Sequence, residues 1–344
     1  MHFEPDKGML RDKYGRVARD VRVSLTDRCN LRCAYCMPAE GLDWLPTEDT
    51  LTDEEVVRLV RIAVELLGVE EIRFTGGEPL LRRSLEDIVA ECATLRTHKG
   101  TPPPMSITTN GLGLDKRAES LVEAGISRAN ISLDSLTRER YAQIARRDRL
   151  HDALRGIQAA ADAGMSPIKI NAVAMKGINE DEVADLLAFC LDHGYHLRFI
   201  EQMPLGPAHG WRRDQLLTQQ DILDRLSQRF ELTPSSEPRG AAPAELWNVA
   251  ESADHPAGDV GVIASVTNPF CTACDRARLT ADGQMRTCLF ATTETDLRTP
   301  MRDGATDEEL AQIWIGATWE KQAGHGMSRP DFRPPERTMS RIGG

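Results

Sequence analysis

Between residues 20 and 204 the chain alternates two hydrophobic rhythms. Short runs rich in β-branched residues read as strands: "VRVSLT" (21–26), "EIRFTG" (71–76), "MSITTN" (105–110), "RANISLD" (128–134), "IKINAVAM" (168–175) and "LRFIEQM" (197–203). Between them lie segments such as "LTDEEVVRLVRIAVELLG", "RSLEDIVAECATLRTH", "LDKRAESLVEAG", "HDALRGIQAAADAG" and "NEDEVADLLAFCLDHG", with apolar residues three and four apart and several glycine stops, which read as helices. Such alternation calls for a parallel sheet covered by helices, so the fold class is α/β. Six strands suit a partial (β/α)6 barrel of the TIM type, although an open doubly wound sheet gives a similar rhythm. In either architecture ligands bind at the carboxyl ends of the strands. There the sequence offers a cysteine cluster, "TGGEP" (75–79), "TTNG" (108–111), Ser132 and Asp134, Lys169 and Asn171, and then Arg198, Glu201 and Met203.

After residue 204 the rhythm stops. "LGPAHGWRRDQ" reads as a loop, "TQQDILDRLSQRF" as a helix and "LTPSSEPRGAAPAE" as a connector. "GDVGVIASVT" and "ARLTADGQMRTCLF" read as strands, the second turning at Asp282-Gly283. The expected division is a barrel over 1–234 and a C-terminal extension over 235–344.

Composition narrows the function. The 344 residues carry 42 Lys+Arg against 53 Asp+Glu, a net charge of −11 with no long block of one sign. This balance argues against nucleic acid as the main partner, while a local arginine cluster could still hold a small phosphorylated ligand. The N-terminal "MHFEPDKGMLRDKYGRVARD" has no apolar run, so it does not read as a signal peptide, and no apolar stretch is long enough to span a membrane. The expected setting is a reducing cytoplasm, where cysteines in tight spacings read as metal ligands rather than disulfides.

Two sets of three cysteines follow. Cys29, Cys33 and Cys36 sit in "DRCNLRCAYC", directly after a strand; Cys271 and Cys274 form "CTAC", with Cys288 after thirteen intervening residues. A [4Fe–4S] cube takes four thiolates, one per iron, so three cysteines leave an iron open for a small molecule. Zinc normally takes four ligands. His255 and His325 could complete a zinc site in principle, but neither stands at a zinc-like spacing. Cys92 and Cys190 lie on apolar helix patterns and read as core thiols.

"CNLRCAYC" matches the C-x3-C-x2-C signature of radical S-adenosylmethionine (radical SAM) enzymes, and "GGEP" matches their second motif. With the distal C-x2-C-x13-C, "CDRARLTADGQMRTCLF" and the terminal "SRIGG", nearly the whole chain resembles the GTP 3′,8-cyclases, which open molybdenum cofactor biosynthesis. The resemblance implies two [4Fe–4S] clusters, one on Cys29, Cys33 and Cys36 and one on Cys271, Cys274 and Cys288 in the C-terminal extension. The open iron of the first would bind S-adenosylmethionine, whose reductive cleavage gives a 5′-deoxyadenosyl radical. That radical would remove the GTP 3′ hydrogen, after which the 3′ carbon attacks guanine C8. The open iron of the second would dock the guanine.

The resemblance also implies residue roles. Tyr35, Gly77, Ser132 and Met203 match cofactor contacts. Arg22, Arg73, Thr108, Lys169, Arg198, Arg276 and Arg278 match substrate contacts, and arginine suits a triphosphate because its planar fork binds phosphate oxygens in pairs. Gly343 and Gly344 match a tail that reaches the active site and supports an arginine. The further implications are an external one-electron reductant, a homodimer and transfer of product to cyclic pyranopterin monophosphate synthase. Glu71 departs from the pattern, since a number of relatives carry Lys there. The rival readings are a radical SAM peptide-modifying enzyme with an auxiliary cluster, which would not bind GTP tightly, and a non-catalytic metal-cluster protein.

Overall fold

The six expected strands all form. They are β1 (Asp20–Ser24), β2 (Glu71–Thr75), β3 (Met105–Thr109), β4 (Ile126–Ser132), β5 (Ile168–Ala174) and β6 (His196–Glu201), paired in parallel in chain order. The structure is a computed structural model and describes residues 8–206, 211–327 and 332–343. Thus part of the loop expected over "LGPAHGWRRDQ", and Gly344, lie outside the described residues.

Helices connect these strands: α1 (Asp53–Arg61), α2 (Leu85–Ala93), α3 (Ala118–Ala124), α4 (Arg138–Ala145), α5 (Leu150–Asp162) and α6 (Val183–Asp192). The start of α1 follows from local chemistry, since Thr52 and Glu55 cap each other's backbone N–H reciprocally. The strands carry buried Val23, Ile72, Phe74, Ile107 and Phe199 into a continuous core beneath the helices.

Beyond β6 come α7 (Gln219–Leu226), β7 (Leu232–Pro234), β8 (Glu245–Val249), β9 (Gly258–Ile263), β10 (Arg276–Leu279), β11 (Gln284–Arg286), β12 (Thr295–Asp296), α8 (Arg298–Arg302), α9 (Asp307–Trp319) and α10 (Met339–Ile342). Strands β7 and β8 form at either end of what the sequence suggested was one connector. The run "LWNV" is too short to show a period, and Pro234 is tolerated because β7 is an edge strand. The hairpin expected at Asp282-Gly283 is present as β10 and β11.

The C-terminal strands extend both ends of the six-stranded array. β9 pairs in parallel with β6, and β10 pairs in parallel with β1. Although β9 and β10 stand at opposite ends of that array and do not pair, Ile263 of β9 and Arg276 and Arg278 of β10 line one cavity. The sheet therefore curls into an incomplete barrel rather than an open doubly wound sheet. The segment 264–275, which carries "CTAC", crosses from one edge to the other.

Candidate active site

The first cysteine loop leaves β1 and folds back on itself. The Cys33 carbonyl accepts from the backbone N–H of Cys36 (2.9 Å) and Met37 (3.1 Å), and the Arg32 guanidinium donates to the Cys29 carbonyl (2.7 Å). The backbone of this turn rests on the "GGEP" segment. A Cβ on Gly77 would stand 2.4 Å from the carbonyl oxygens of both Asp27 and Arg28, and Gly77 N–H donates to the Thr26 carbonyl (2.7 Å). Glu78, 1% exposed, accepts from Thr109 Oγ1 (2.7 Å), Leu80 N–H (3.0 Å) and Asn110 N–H (2.8 Å), so it locks the end of β2 to that of β3. Burial pushes its carboxyl up to about 7.

Burial also pushes Cys29 up to about 11 and Cys36 up to about 12; Cys33 is driven well above its ordinary value by burial and then by Asp134, Cys36 and Cys29. Three mutually repelling, half-buried sulfurs are compatible with one loop as thiolates when a cationic metal core offsets their charge, so the donor set fits an iron–sulfur cluster. Tyr35 donates through its hydroxyl to Asp134 Oδ2 (2.9 Å), whose other oxygen accepts from Val173 N–H (2.8 Å). Ser132 ends β4, paired with Asn171 of β5. Met203 lines the cavity, and the chain at Gly206 passes directly over the Tyr35 carbonyl.

The second set faces the same cavity. Cys271, Cys274 and Cys288 line it together with Phe270, Phe290 and His325. Burial raises Cys271, aided by Cys288 and Cys274; burial would raise Cys274 too, but Arg276 and Lys321 overcome it and hold that thiol below its ordinary value. His325 does come near the cysteines, as zinc would ask, yet its Nδ1 accepts from Met327 N–H (3.1 Å). Among the described residues no three His, Cys, Asp or Glu side chains close on a single point as one metal ion would require.

The cavity that the second set lines, which Cys29, Cys33 and Cys36 do not, is also lined by cations. Arg22, Arg73, Arg198, Arg276 and Arg278 line the cavity with Thr108, and register explains the grouping: Arg22 stands between Arg73 and Arg278 on adjacent strands. Burial, then Arg278 and Arg73, takes Arg22 well below its ordinary value; burial and neighbouring guanidiniums bring Arg278 and Arg198 down to about 10. Lys169 does not line the cavity but stands among the same groups; burial, then Arg198, Arg128 and Arg73, brings it down to about 8. The Nε atoms of Arg22, Arg73 and Arg198 and Nη2 of Arg276 are buried without a partner, as is Asn171 Oδ1. Arg276 also stacks on Phe270, 4.4 Å from the ring centre.

The tail arrives at this cluster. The Ser340 backbone hydrogen-bonds the Cys36 thiol, and Arg278 donates to the Gly343 carbonyl. Gly343 has φ +84°, and a Cβ there would meet Ser24 Cβ at 3.0 Å, so glycine is required by both conformation and space. Gly344 lies outside the described residues.

Two features escaped the sequence. Glu71 accepts from Arg73 (3.2 Å) and from Arg128. Arg128 therefore adds a cation where Glu71 removes one; only the pairing of β2, β3 and β4 brings the two together. Glu201 is wholly buried and accepts from the N–H of Gln219, Val266 and Thr267, so it anchors the crossing segment rather than facing the cavity.

Comparisons with known proteins give the family. The Radical SAM superfamily model matches residues 23–190, and the Molybdenum Cofactor Synthesis C model matches 195–327. The chain is 59% identical to the GTP 3′,8-cyclase of Corynebacterium glutamicum, over 98% of this chain and 89% of that one. It is 58% identical to the GTP 3′,8-cyclase of Streptomyces coelicolor, over 98% and 96%. Streptococcus suis SuiB bound to S-adenosylmethionine shares the fold, with a TM-score of 0.58 at 14% identity, over 92% of this chain and 69% of that one. From its motifs, its cavity and these relatives over nearly its full length, the chain belongs to the GTP 3′,8-cyclase family of radical SAM enzymes.

Proposed function

We propose that the chain holds GTP in the cation-lined cavity between its two cysteine sets and, as a lyase, converts it to (8S)-3′,8-cyclo-7,8-dihydroguanosine 5′-triphosphate, the first step of molybdenum cofactor biosynthesis. The observation that carries this reading is the unpartnered charge. Arg22, Arg73, Arg128, Lys169, Arg198, Arg276 and Arg278 share the site with the carboxylates Asp20, Glu71, Asp259 and Asp275, an excess of three positive charges. Buried guanidinium nitrogens without partners are costly, and a bound triphosphate supplies the acceptors they lack.

The residues divide the work. Cys29, Cys33 and Cys36 would hold one [4Fe–4S] cluster and Cys271, Cys274 and Cys288 the other, with 1–234 forming the barrel and 235–344 the auxiliary-cluster region. With S-adenosylmethionine on the first, the bound group supplies hydrogen-atom abstraction from the GTP 3′ carbon. Tyr35, Gly77, Ser132 and Met203 orient the cofactor. Arg22, Arg73, Lys169 and Arg198 grip the phosphates and Thr108 lines their approach. Arg276, Arg278 and Gly343, with Gly344 beyond it, hold the end of GTP next to the second cluster, so that the 3′ carbon is fixed at one distance from the abstracting group. The enclosed barrel keeps water and stray hydrogen donors away.

This reading extends to a cytoplasmic setting, an external one-electron reductant, a homodimer, and transfer of product to cyclic pyranopterin monophosphate synthase. The test is anaerobic reconstitution, reduction with dithionite in the presence of S-adenosylmethionine and GTP, and mass spectrometry of the products. Formation of 5′-deoxyadenosine together with a cyclised nucleotide, both dependent on GTP, is expected. Appearance of 5′-deoxyadenosine with no nucleotide product would redirect the reading to another substrate, such as a peptide.

A further inference from the structure

One buried ammonium lies outside the cavity and is not used in gripping GTP. Lys321, just beyond α9, is 4% exposed. Its Nζ donates to the carbonyl oxygens of Cys274 (3.2 Å) and Arg276 (2.9 Å) and stands 3.5 Å from Cys274 Sγ. Among the described residues no carboxylate comes within salt-bridge range of it, although lysine is almost never fully buried unless paired. The nearest anion is the thiolate that Cys274 becomes when it binds metal, with the Asp275 carboxylate acting on the ammonium from beyond salt-bridge range.

The segment holding Lys321 is itself clamped. Arg16 donates to the carbonyl oxygens of Cys271 (2.6 Å), Gln322 (2.6 Å) and Ala323 (2.9 Å), and its Nε is fixed by the buried carboxylate of Asp12. One cation thus ties residues 322–323 to the first cysteine of "CTAC", while the next reaches the second. Charge and hydrogen bonds around the sulfurs are what set the potential of an iron–sulfur cluster, and groups behind the ligands fix their geometry.

We propose that Lys321 is a positioning residue for the second cluster: held by the Arg16 clamp, it fixes Cys274 and Arg276 in place and, as the counter-charge of the Cys274 thiolate, raises that cluster's reduction potential. This rests on the reading that the second cysteine set carries a cluster.

The test is an iron count and an EPR-monitored redox titration of reconstituted holoenzyme carrying Lys321→Met or Lys321→Arg. About eight irons, as two cubes require, are expected in both variants. In Lys321→Met one of the two potentials should fall by at least about 59 mV, a tenfold change for a one-electron couple, with the other unmoved. In Lys321→Arg both should stay at their native values. Unmoved potentials in Lys321→Met, a fall in both, or an equal fall in Lys321→Arg would overturn the proposal. Should Lys321→Met lose iron, Lys321→Gln keeps hydrogen bonds to the carbonyls without the charge, and an unmoved potential there overturns it equally. A native protein with about four irons and a single potential would instead remove the second cluster, and the proposal with it.

Discussion

Arg128 shows how little a single position reveals by itself. In sequence it is one of many arginines in a helix-rich, acidic chain; in the structure it is bridged through Glu71 to Arg73 and adds its charge to Lys169 and Arg198. Replacing Arg128 by Ala leaves Glu71 to act on Arg73 and Lys169 alone, so GTP binding should weaken by about 1 kcal/mol, the scale of a part-exposed ion pair, as read by calorimetry on the reconstituted protein. Lys169 gives a second expectation at this scale. Crowded by Arg198, Arg128 and Arg73, with only Glu71 opposing them, it loses its proton near pH 8 in the free protein. A phosphate needs the ammonium, so binding takes up a proton above that pH. GTP affinity should be steady near pH 7, where the terminal phosphate is mostly ionised, and fall by up to about tenfold per pH unit above 8. Lys169→Arg should flatten the profile, and an unchanged slope would take Lys169 out of the site.

At the scale of elements, glycines decide which loops can meet. The ends of β1 and β2 touch backbone to backbone at Gly77, so its first duty is to the chain itself; the motif alone points to a ligand contact. A methyl group there would collide with two carbonyl oxygens, which are backbone and cannot turn aside. Gly77→Ala should cost the first cluster, with iron falling from about eight to about four per chain, and should lower Tm. The tail makes the opposite case. Gly343→Ala forces a side chain into a left-handed conformation against Ser24, at the point where Arg278 is bound. Cyclised product should fall several-fold with iron content unchanged, and an unaffected yield would reduce the tail to a frayed end.

At the scale of the whole molecule, a chain of net charge −11 lines one barrel cavity with five arginines. GTP binds the native state alone, so it should raise Tm, with a gain of about 2.7 kcal/mol at a hundred times its Kd. GDP should stabilise less at the same concentration, because it leaves more of the buried guanidiniums unpartnered. The incomplete barrel is closed by sequence-distant pieces. The array β1 to β6 receives β9 at one edge and β10 at the other, and the twelve residues between them, 264–275, carry two cysteines across the gap. Glu201 pins that crossing at its start; Arg16 and Lys321 pin it at its end.

The sequence by itself determined the local and the periodic. The strand and helix rhythm, the six cysteines in two sets of three, the "GGEP" turn and the arginines near strand ends were all legible there, because each depends on spacing along the chain. Only the tertiary structure decided what depends on strands distant in sequence. Curling of the sheet brought β9 and β10 to one cavity, β2 and β4 brought Glu71 to Arg128, and α9 delivered Lys321 to Cys274. The physical reason is that a cation is stabilised in a buried site by partners fixed in space, and spacing along a strand sets only the face on which a side chain leaves it.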